Sequence, residues 1–399
     1  MQEQSIALRH QTDTVTMSVA DIYANAKALS GYLREKAAAI DEARKLPKEV
    51  AERLRDAGMF RLMMPKEWGG PEMCPAEQVE IIEEIAKANA SAAWCVMIGC
   101  DSGFFAGFLE DQHAREVYPR LDMATAGSAW PTGRAERVPN GYRVTGEWSF
   151  GSGITHAEVV ELNCVLYENG APILRGRGTP LTSAFLTPVS NVEVIDNWHT
   201  TGLQGTGSND YRVNDLFVAE RFLCDMRVAR RPGVLWRSVR NFLPKVAGVP
   251  LGAARAAIDY ATETLAGRVE KPSGRPYRNN SRVQSVIAEA EMKLSAARSY
   301  VFLAMEKEWK RLEKHEEPTV AERADSWLSR VNAGQSARDV IRMVYDLLGS
   351  TAIYSERSPM DRALRDADTF CQHIVLQRKT LETVGGLLLK ADRPSFPFI

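Results

Sequence analysis

The chain has almost no net charge: 50 Lys and Arg against 51 Asp and Glu leave −1 over 399 residues. A balance of that kind offers no global field to nucleic acid or to an anionic membrane, and neither partner is expected. Only Arg227, Arg230 and Arg231 cluster, and they form a small group. No run of about 18 apolar residues occurs, so no membrane span is expected. The polar start, MQEQSIALRHQTDT, lacks the apolar core of a signal peptide. Cysteine is scarce. The six, at 74, 95, 100, 164, 224 and 371, form no CxxC pair, which points to reduced thiols in a cytoplasmic protein. Also missing are an HExxH metal motif, a Gly-x-Ser-x-Gly hydrolase elbow, and a Gly-x-Gly-x-x-Gly loop in a βαβ unit. No metal, no hydrolase chemistry and no bound NAD(P)H are therefore expected.

What is present divides into three. Hydrophobic residues make up 45% and charged residues 25%, an ordinary globular composition. Residues 1–122 read as a helical domain. In DIYANAKALSGYLREKAAAIDEARKLPKEVAERLRDAGMF apolar residues recur at three- and four-residue spacing. Asp21 is expected to cap one helix, Pro47 to open another and Gly58 to close it. The later PAEQVEIIEEIAKANASAAWCVMIGCDSGFFAGFL becomes apolar all round, which implies deep burial. Residues 123–226 carry short runs rich in Val, Thr, Tyr and Phe; ERVPNGYRVTGEWSF reads as two strands about a Pro-Asn-Gly turn, within an antiparallel barrel or sandwich. Residues 227–399 return to long amphipathic helices, expected to form a bundle with faces to spare for oligomer contacts.

Several stretches resemble the acyl-CoA dehydrogenase superfamily, and the likeness covers nearly the whole chain. DAGMFRLMMPKEWGG is similar to that family's Gly-x6-Pro-x3-Gly-Gly pattern, and VQSVIAEAEMKLSAAR to a helix of its bundle. The Gly-Thr-Gly-Ser-x-Asp form within WHTTGLQGTGSNDYRVNDLFVAERF looks more like the oxygenase branch. So does GEWSFGSGITHAEV, which shows Trp148, Phe150, Ser152 and Gly153 where dehydrogenases place a Trp-Ile-Thr segment against the flavin. The residue types suit that task. A flat aromatic walls a tricyclic ring, a hydroxyl reaches its reactive edge, and glycine lets the backbone approach closely. The resemblance implies helices, a middle antiparallel β-barrel and a C-terminal four-helix bundle.

The dehydrogenase base is missing. Removing an α proton as hydride leaves needs a carboxylate at the ring. After Arg365-Asp366-Ala367 the family's Glu position is occupied by Ile374. The alternative position, before the Gly-x-Pro-Leu-Gly of FLPKVAGVPLG, is Phe242. Nearby stands His373 in a Gln-His pair, which resembles the two-component flavin-dependent hydroxylases; an imidazole can accept a substrate proton or donate one to oxygen near neutral pH.

The resemblance therefore implies the oxygenase component of a two-component flavin-dependent monooxygenase. A separate NAD(P)H:flavin reductase would supply reduced FMN or FAD, dioxygen would be the cosubstrate, and a flavin (hydro)peroxide kept dry by the protein would oxidise a small aromatic substrate or a heteroatom. Ser152 is expected to stabilise that species by a hydrogen bond and His373 to activate the substrate. Arg275, Arg278 and Gln284 are expected to reach the flavin, with the arginines at its phosphate across a subunit boundary of a homotetramer. Trp94, Phe104 and Trp130, with Phe242 and Ile374, are expected to line the substrate pocket. The alternatives are an acyl-CoA dehydrogenase with a relocated base, an amino-sugar N-oxygenase and a non-catalytic scaffold. An acidic group poised over the substrate face of the ring would overturn the oxygenase reading.

Overall fold

The computed structural model describes residues 16–391; the polar stretch 1–14, expected not to be a signal peptide, lies outside them. The first helix, Val19–Ala28, starts at a capping box: the Ser18 hydroxyl accepts from the Asp21 N–H and the Asp21 carboxylate accepts from the Ser18 N–H. Asp21, expected as the cap, is instead the third helical residue, because Ser18 already occupies the terminal position. Pro47 precedes Lys48–Asp56, and Gly58 stops that helix at a φ of 84°. Three apolar helices follow: Pro75–Ala86, Ala90–Gly99 and Asp101–Ala106. Nearly every side chain of the last two is buried, so they run through the middle of the molecule.

Among the described residues ten strands come next: β1 (Thr125–Val138), β2 (Gly141–Gly151), β3 (Val159–Glu168), β4 (Ala171–Pro172), β5 (Leu174–Arg175), β6 (Thr179–Pro180), β7 (Thr182–Pro188), β8 (Glu193–Ile195), β9 (Asn209–Ala219) and β10 (Leu223–Cys224). β1 and β2 form the expected hairpin, with Asn140 in its turn at a φ of 65°. The main sheet runs β10-β7-β3-β1-β2-β9-β8, with β4 added to β3. It departs from the expected antiparallel barrel in two ways. β1 and β3 are parallel, and no ladder joins β10 to β8 among the described residues. The hairpin explains the first point. β2 returns to the end where β1 began, and the short turn after Gly151 starts β3 there, with Val159 level with Thr125.

The C-terminal part is a bundle of Gly248–Ala266, Ser281–Glu313 and Val320–Leu348 with the shorter Met360–Phe370 and Thr380–Leu388. Val320–Leu348 packs against all four others. The last two helices are one arm of the bundle interrupted by an irregular turn at 371–379, and that turn carries His373 and Ile374. Just before it, the Arg-Asp-Ala stretch clasps the β domain: the buried Asp366 carboxylate accepts from the Leu203 N–H at 2.6 Å, and Arg365 donates to the Thr201 carbonyl at 2.6 Å. Gly202 lies so close that a Cβ there would come within 2.1 Å of the Arg365 carbonyl oxygen. No helix among the described residues is long and apolar enough to cross a membrane.

Candidate functional site

Where the central helices, the sheet and the irregular turn meet there is a cavity of about 550 Å³. Trp94, Phe150, Ser152, His373 and Ile374 line it, together with Phe242 and Trp130. The motif on β2 reaches it through a distortion. Strict alternation would turn Trp148, Phe150 and Ser152 to one face. A register shift between Trp148 and Gly151, with Phe150 at a φ of 67°, breaks that period. Trp148 is consequently 1% exposed in the sheet core, donating to the Asn163 carbonyl at 2.7 Å, whereas Phe150 is 64% exposed beside the cavity. A left-handed backbone at a large aromatic residue is strained, and such strain gathers at ligand sites.

Ser152 belongs to a chain of hydrogen bonds whose direction is determined by its ends. Trp94 Nε1 donates to Ser152 Oγ at 3.1 Å; Ser152 and Ser208 hydroxyls are 2.7 Å apart, as are Ser208 and Thr206; Thr206 donates to the Leu203 carbonyl at 2.9 Å. The indole N–H can only donate and the carbonyl can only accept. Thr206 therefore spends its proton on Leu203, Ser208 on Thr206, and Ser152 on Ser208. What Ser152 offers the cavity is a lone pair. In the hydrogen bond expected of it toward a bound group, Ser152 would therefore be the acceptor.

His373 packs edge-on against Trp94, ring centroids 5.1 Å apart. Burial lowers its pKa to about 4, so the imidazole is neutral at ordinary pH. The Val375 N–H lies 3.5 Å from Nδ1, too far to determine the tautomer. Gly153 is next to the cavity in the turn after β2 at a φ of 76° and packs against His156, which is buried with neither ring nitrogen hydrogen-bonded among the described residues.

Other expected residues are elsewhere. Phe104 is wholly buried behind the lining, its ring tilted 39° against Phe242 with centroids 5.3 Å apart, while its neighbour Phe105 faces the cavity. Arg275, Arg278 and Gln284 are exposed around the start of the Ser281–Glu313 helix and do not line the cavity; Gln284 Nε2 donates to the Arg278 carbonyl at 2.9 Å.

The cavity also has a charged wall that the sequence reading missed. Asp101, Lys245 and Glu161 line it, all buried. Lys245 Nζ donates to Asp101 Oδ1 and to the Phe242 carbonyl, each at 2.6 Å. Glu161 Oε1 accepts from Asn163 Nδ2 at 2.6 Å. Burial raises the Asp101 pKa to about 6 against the pull of Lys245, and raises Glu161 to about 8. A signal was available: an Asp following an all-apolar helix, or a Glu inside the apolar run VVELNCVL, must find a partner or a ligand.

Two family models match the chain: Acyl-CoA dehydrogenase, N-terminal domain over residues 25–116, and Acyl-CoA dehydrogenase, C-terminal domain over residues 245–378. The oxygenase subunit HsaA of a flavin-dependent monooxygenase from Mycobacterium tuberculosis is 30% identical over 351 residues, covering 84% of this chain and 86% of that protein. An indole-3-acetate monooxygenase from Pseudomonas putida is 29% identical over 352 residues, 87% of this chain and 88% of that one. The crystal structure of HsaA from M. tuberculosis has the same fold, with a TM-score of 0.86 at 24% identity over 96% of this chain and 100% of the other.

Proposed function

The chain belongs to the flavin-dependent monooxygenases of the acyl-CoA dehydrogenase superfamily, and from that premise we propose that it is an oxygenase component that hydroxylates an electron-rich aromatic substrate. The observation that carries this reading is one apolar cavity shared by Ser152, Trp94 and a neutral His373, with Ile374 and Phe242 at both places where a dehydrogenase keeps its base. Division into units at 122/123 and 226/227, a homotetramer, a separate reductase and a cytoplasmic location belong to the same reading.

The residues fit a flavin. The exposed Phe150 ring and Trp198, edge-on to it at 6.3 Å, offer flat apolar surface for a tricyclic ring. Reduced flavin supplies the two electrons that let dioxygen deliver an electrophilic oxygen atom. Ser152, with a lone pair toward the cavity, would accept a hydrogen bond from an N–H of the reduced ring and would have no proton to offer a bare ring nitrogen of the oxidised one. Arg275, Arg278 and Gln284 would hold the phosphate end from a neighbouring copy, for which the planar guanidinium fork is suited. Apolar side chains, Ile374 and Phe242 among them, exclude water. Neutral His373 takes the proton of the substrate's hydroxyl or amine as the ring is attacked.

One observation favours a rival. Asp101 and Glu161 line the cavity, and a carboxylate with a pKa near 8 could serve a dehydrogenase as a relocated base. Asp101 is held by Lys245, and Glu161 by Asn163 through one of its two oxygens. Two assays separate the readings. Protein given reduced FMN or FADH₂ and then dioxygen should convert an aromatic probe, and His373→Ala should lower product per flavin oxidised by about tenfold or more with reduced flavin still bound. Reduction of bound oxidised flavin by an acyl-CoA thioester would establish the rival, and an unchanged yield would remove His373 from the chemistry.

A further inference from the structure

Asp101 stands seven residues beyond Trp94 on two nearly continuous helices, about 10 Å along the axis. The charged wall is therefore set well apart from Ser152 and His373, in the same cavity. Lys245 Nζ donates to Asp101 Oδ1, and Glu161 Oε1 is held by Asn163, which also donates to the Ser128 carbonyl at 2.9 Å. Glu161 lines the cavity, and its hydrogen bond from Asn163 goes to Oε1, which leaves Oε2 for the cavity. The space beside it is kept by Gly127, where a Cβ would lie 2.6 Å from Glu161 Cβ and 2.9 Å from Oε2.

The charges are unequal as well: two acids share one ammonium. Above about pH 8, where Glu161 is ionised, a ligand group bearing a third negative charge would enter a low-dielectric enclosure already short of cations, while a donor or a cation would meet a carboxylate oxygen facing the cavity. We propose that Glu161, beside the Asp101–Lys245 pair, is the substrate-recognition subsite of this cavity. It takes an uncharged or cationic hydrogen-bond-donating group of the aromatic substrate, a ring N–H, phenol or amine, and disfavours a carboxylate. This rests on the monooxygenase reading, and it separates the chain's preference from that named for the indole-3-acetate monooxygenase it resembles.

The test is binding of three probes, tryptamine, indole and indole-3-acetate, to the full chain with reduced flavin under anaerobic conditions at about pH 9, where Glu161 is ionised, read by calorimetry. Tryptamine is expected to bind at least about tenfold more tightly than indole-3-acetate, with indole between, which corresponds to about 1.4 kcal/mol. Glu161→Gln keeps the size and the bond from Asn163 but cannot carry charge; in it the ratio should fall below about threefold. Indole-3-acetate binding as well as tryptamine in the unaltered protein overturns the proposal, whether or not the variant folds. So does a ratio unchanged in Glu161→Gln, or failure of all three probes to bind. Admitting dioxygen afterwards tests the underlying reading separately: a probe that binds in the expected order but is never oxidised counts against the monooxygenase and leaves the subsite standing.

Discussion

The two walls of the cavity solve the same problem in opposite ways. Along one, Trp94, Ser152, Ser208 and Thr206 pass hydrogen bonds between neutral groups, and His373 is neutral because burial makes its cation costly. Along the other, Asp101 and Lys245 keep full charges and depend on each other, with Glu161 beside them. A neutral chain can be reoriented at the expense of about one hydrogen bond, roughly 1 kcal/mol. A buried ion pair cannot lose one member so lightly. The hydroxyl wall is therefore suited to a group that changes its hydrogen-bonding character, and the charged wall to recognising one that does not.

The sharpest break in this contrast should come from Asp101→Ala. It leaves Lys245, 1% exposed, without its counter-charge, and should destabilise the protein by about 3–5 kcal/mol in denaturant unfolding. A paired change to Asp101→Leu with Lys245→Met should recover most of that loss. A single variant losing less than about 1 kcal/mol would mean the pair contributes far less than a buried ion pair should.

Acidity should separate the walls next. His373 and His156 have pKa values lowered to about 4 and about 3 by burial, below the ordinary 6.5. The unfolded chain then binds protons that the folded one refuses, so their contribution is present above about pH 6.5 and is lost as pH falls toward 4. Asp101, Asp366 and Glu161 are raised to about 6, 7 and 8, above the ordinary 3.8 and 4.5. Their contribution is complete below about pH 4 and is lost as pH rises through 6 to 8. Between about pH 4 and 6.5 the two sets oppose each other, and from there to about pH 8 only the acids act, so stability should fall by a few kcal/mol toward the alkaline side. Glu161→Gln should flatten that alkaline fall, and His373→Gln should raise stability at pH 4 relative to pH 6.5. Unfolding curves from pH 4 to 9 that show no such asymmetric response to the two variants would contradict it.

The smallest effect is expected at the hydroxyl wall. Ser208→Ala removes the acceptor for the Ser152 proton, which can then turn into the cavity and meet the bare ring nitrogen of oxidised flavin. The preference for reduced over oxidised flavin should drop by about fivefold, the worth of one hydrogen bond. Dissociation constants for the two forms measure it, and an unchanged ratio would show that the chain does not direct Ser152.

How much of this was legible in the sequence depended on distance along the chain. The all-apolar run around Trp94 and the Pro-Asn-Gly hairpin were readable because local pattern determines them. His373 and Ile374 were found by counting from Arg365-Asp366-Ala367, and both do face the cavity. The resemblance set Trp148 beside the flavin with Phe150, whereas the bulge between Trp148 and Gly151 leaves Trp148 in the sheet core. Phe104 and Phe105 differ by one position, which on a helix is a turn of about 100°, enough to put one behind the wall and one in it.

By itself the sequence determined the order of helices, sheet and bundle, the apolar residues at both base positions and the motif that enters the cavity, since each follows from local periodicity or from a short count. Tertiary structure alone decided that Lys245 meets Asp101 across 144 residues, that Ser208 receives the proton of Ser152, and that Glu161 leaves one oxygen for the cavity. Those contacts join side chains from separate elements, and only the packing of helix, sheet and turn determines which of many buried polar groups end up within 3 Å of one another.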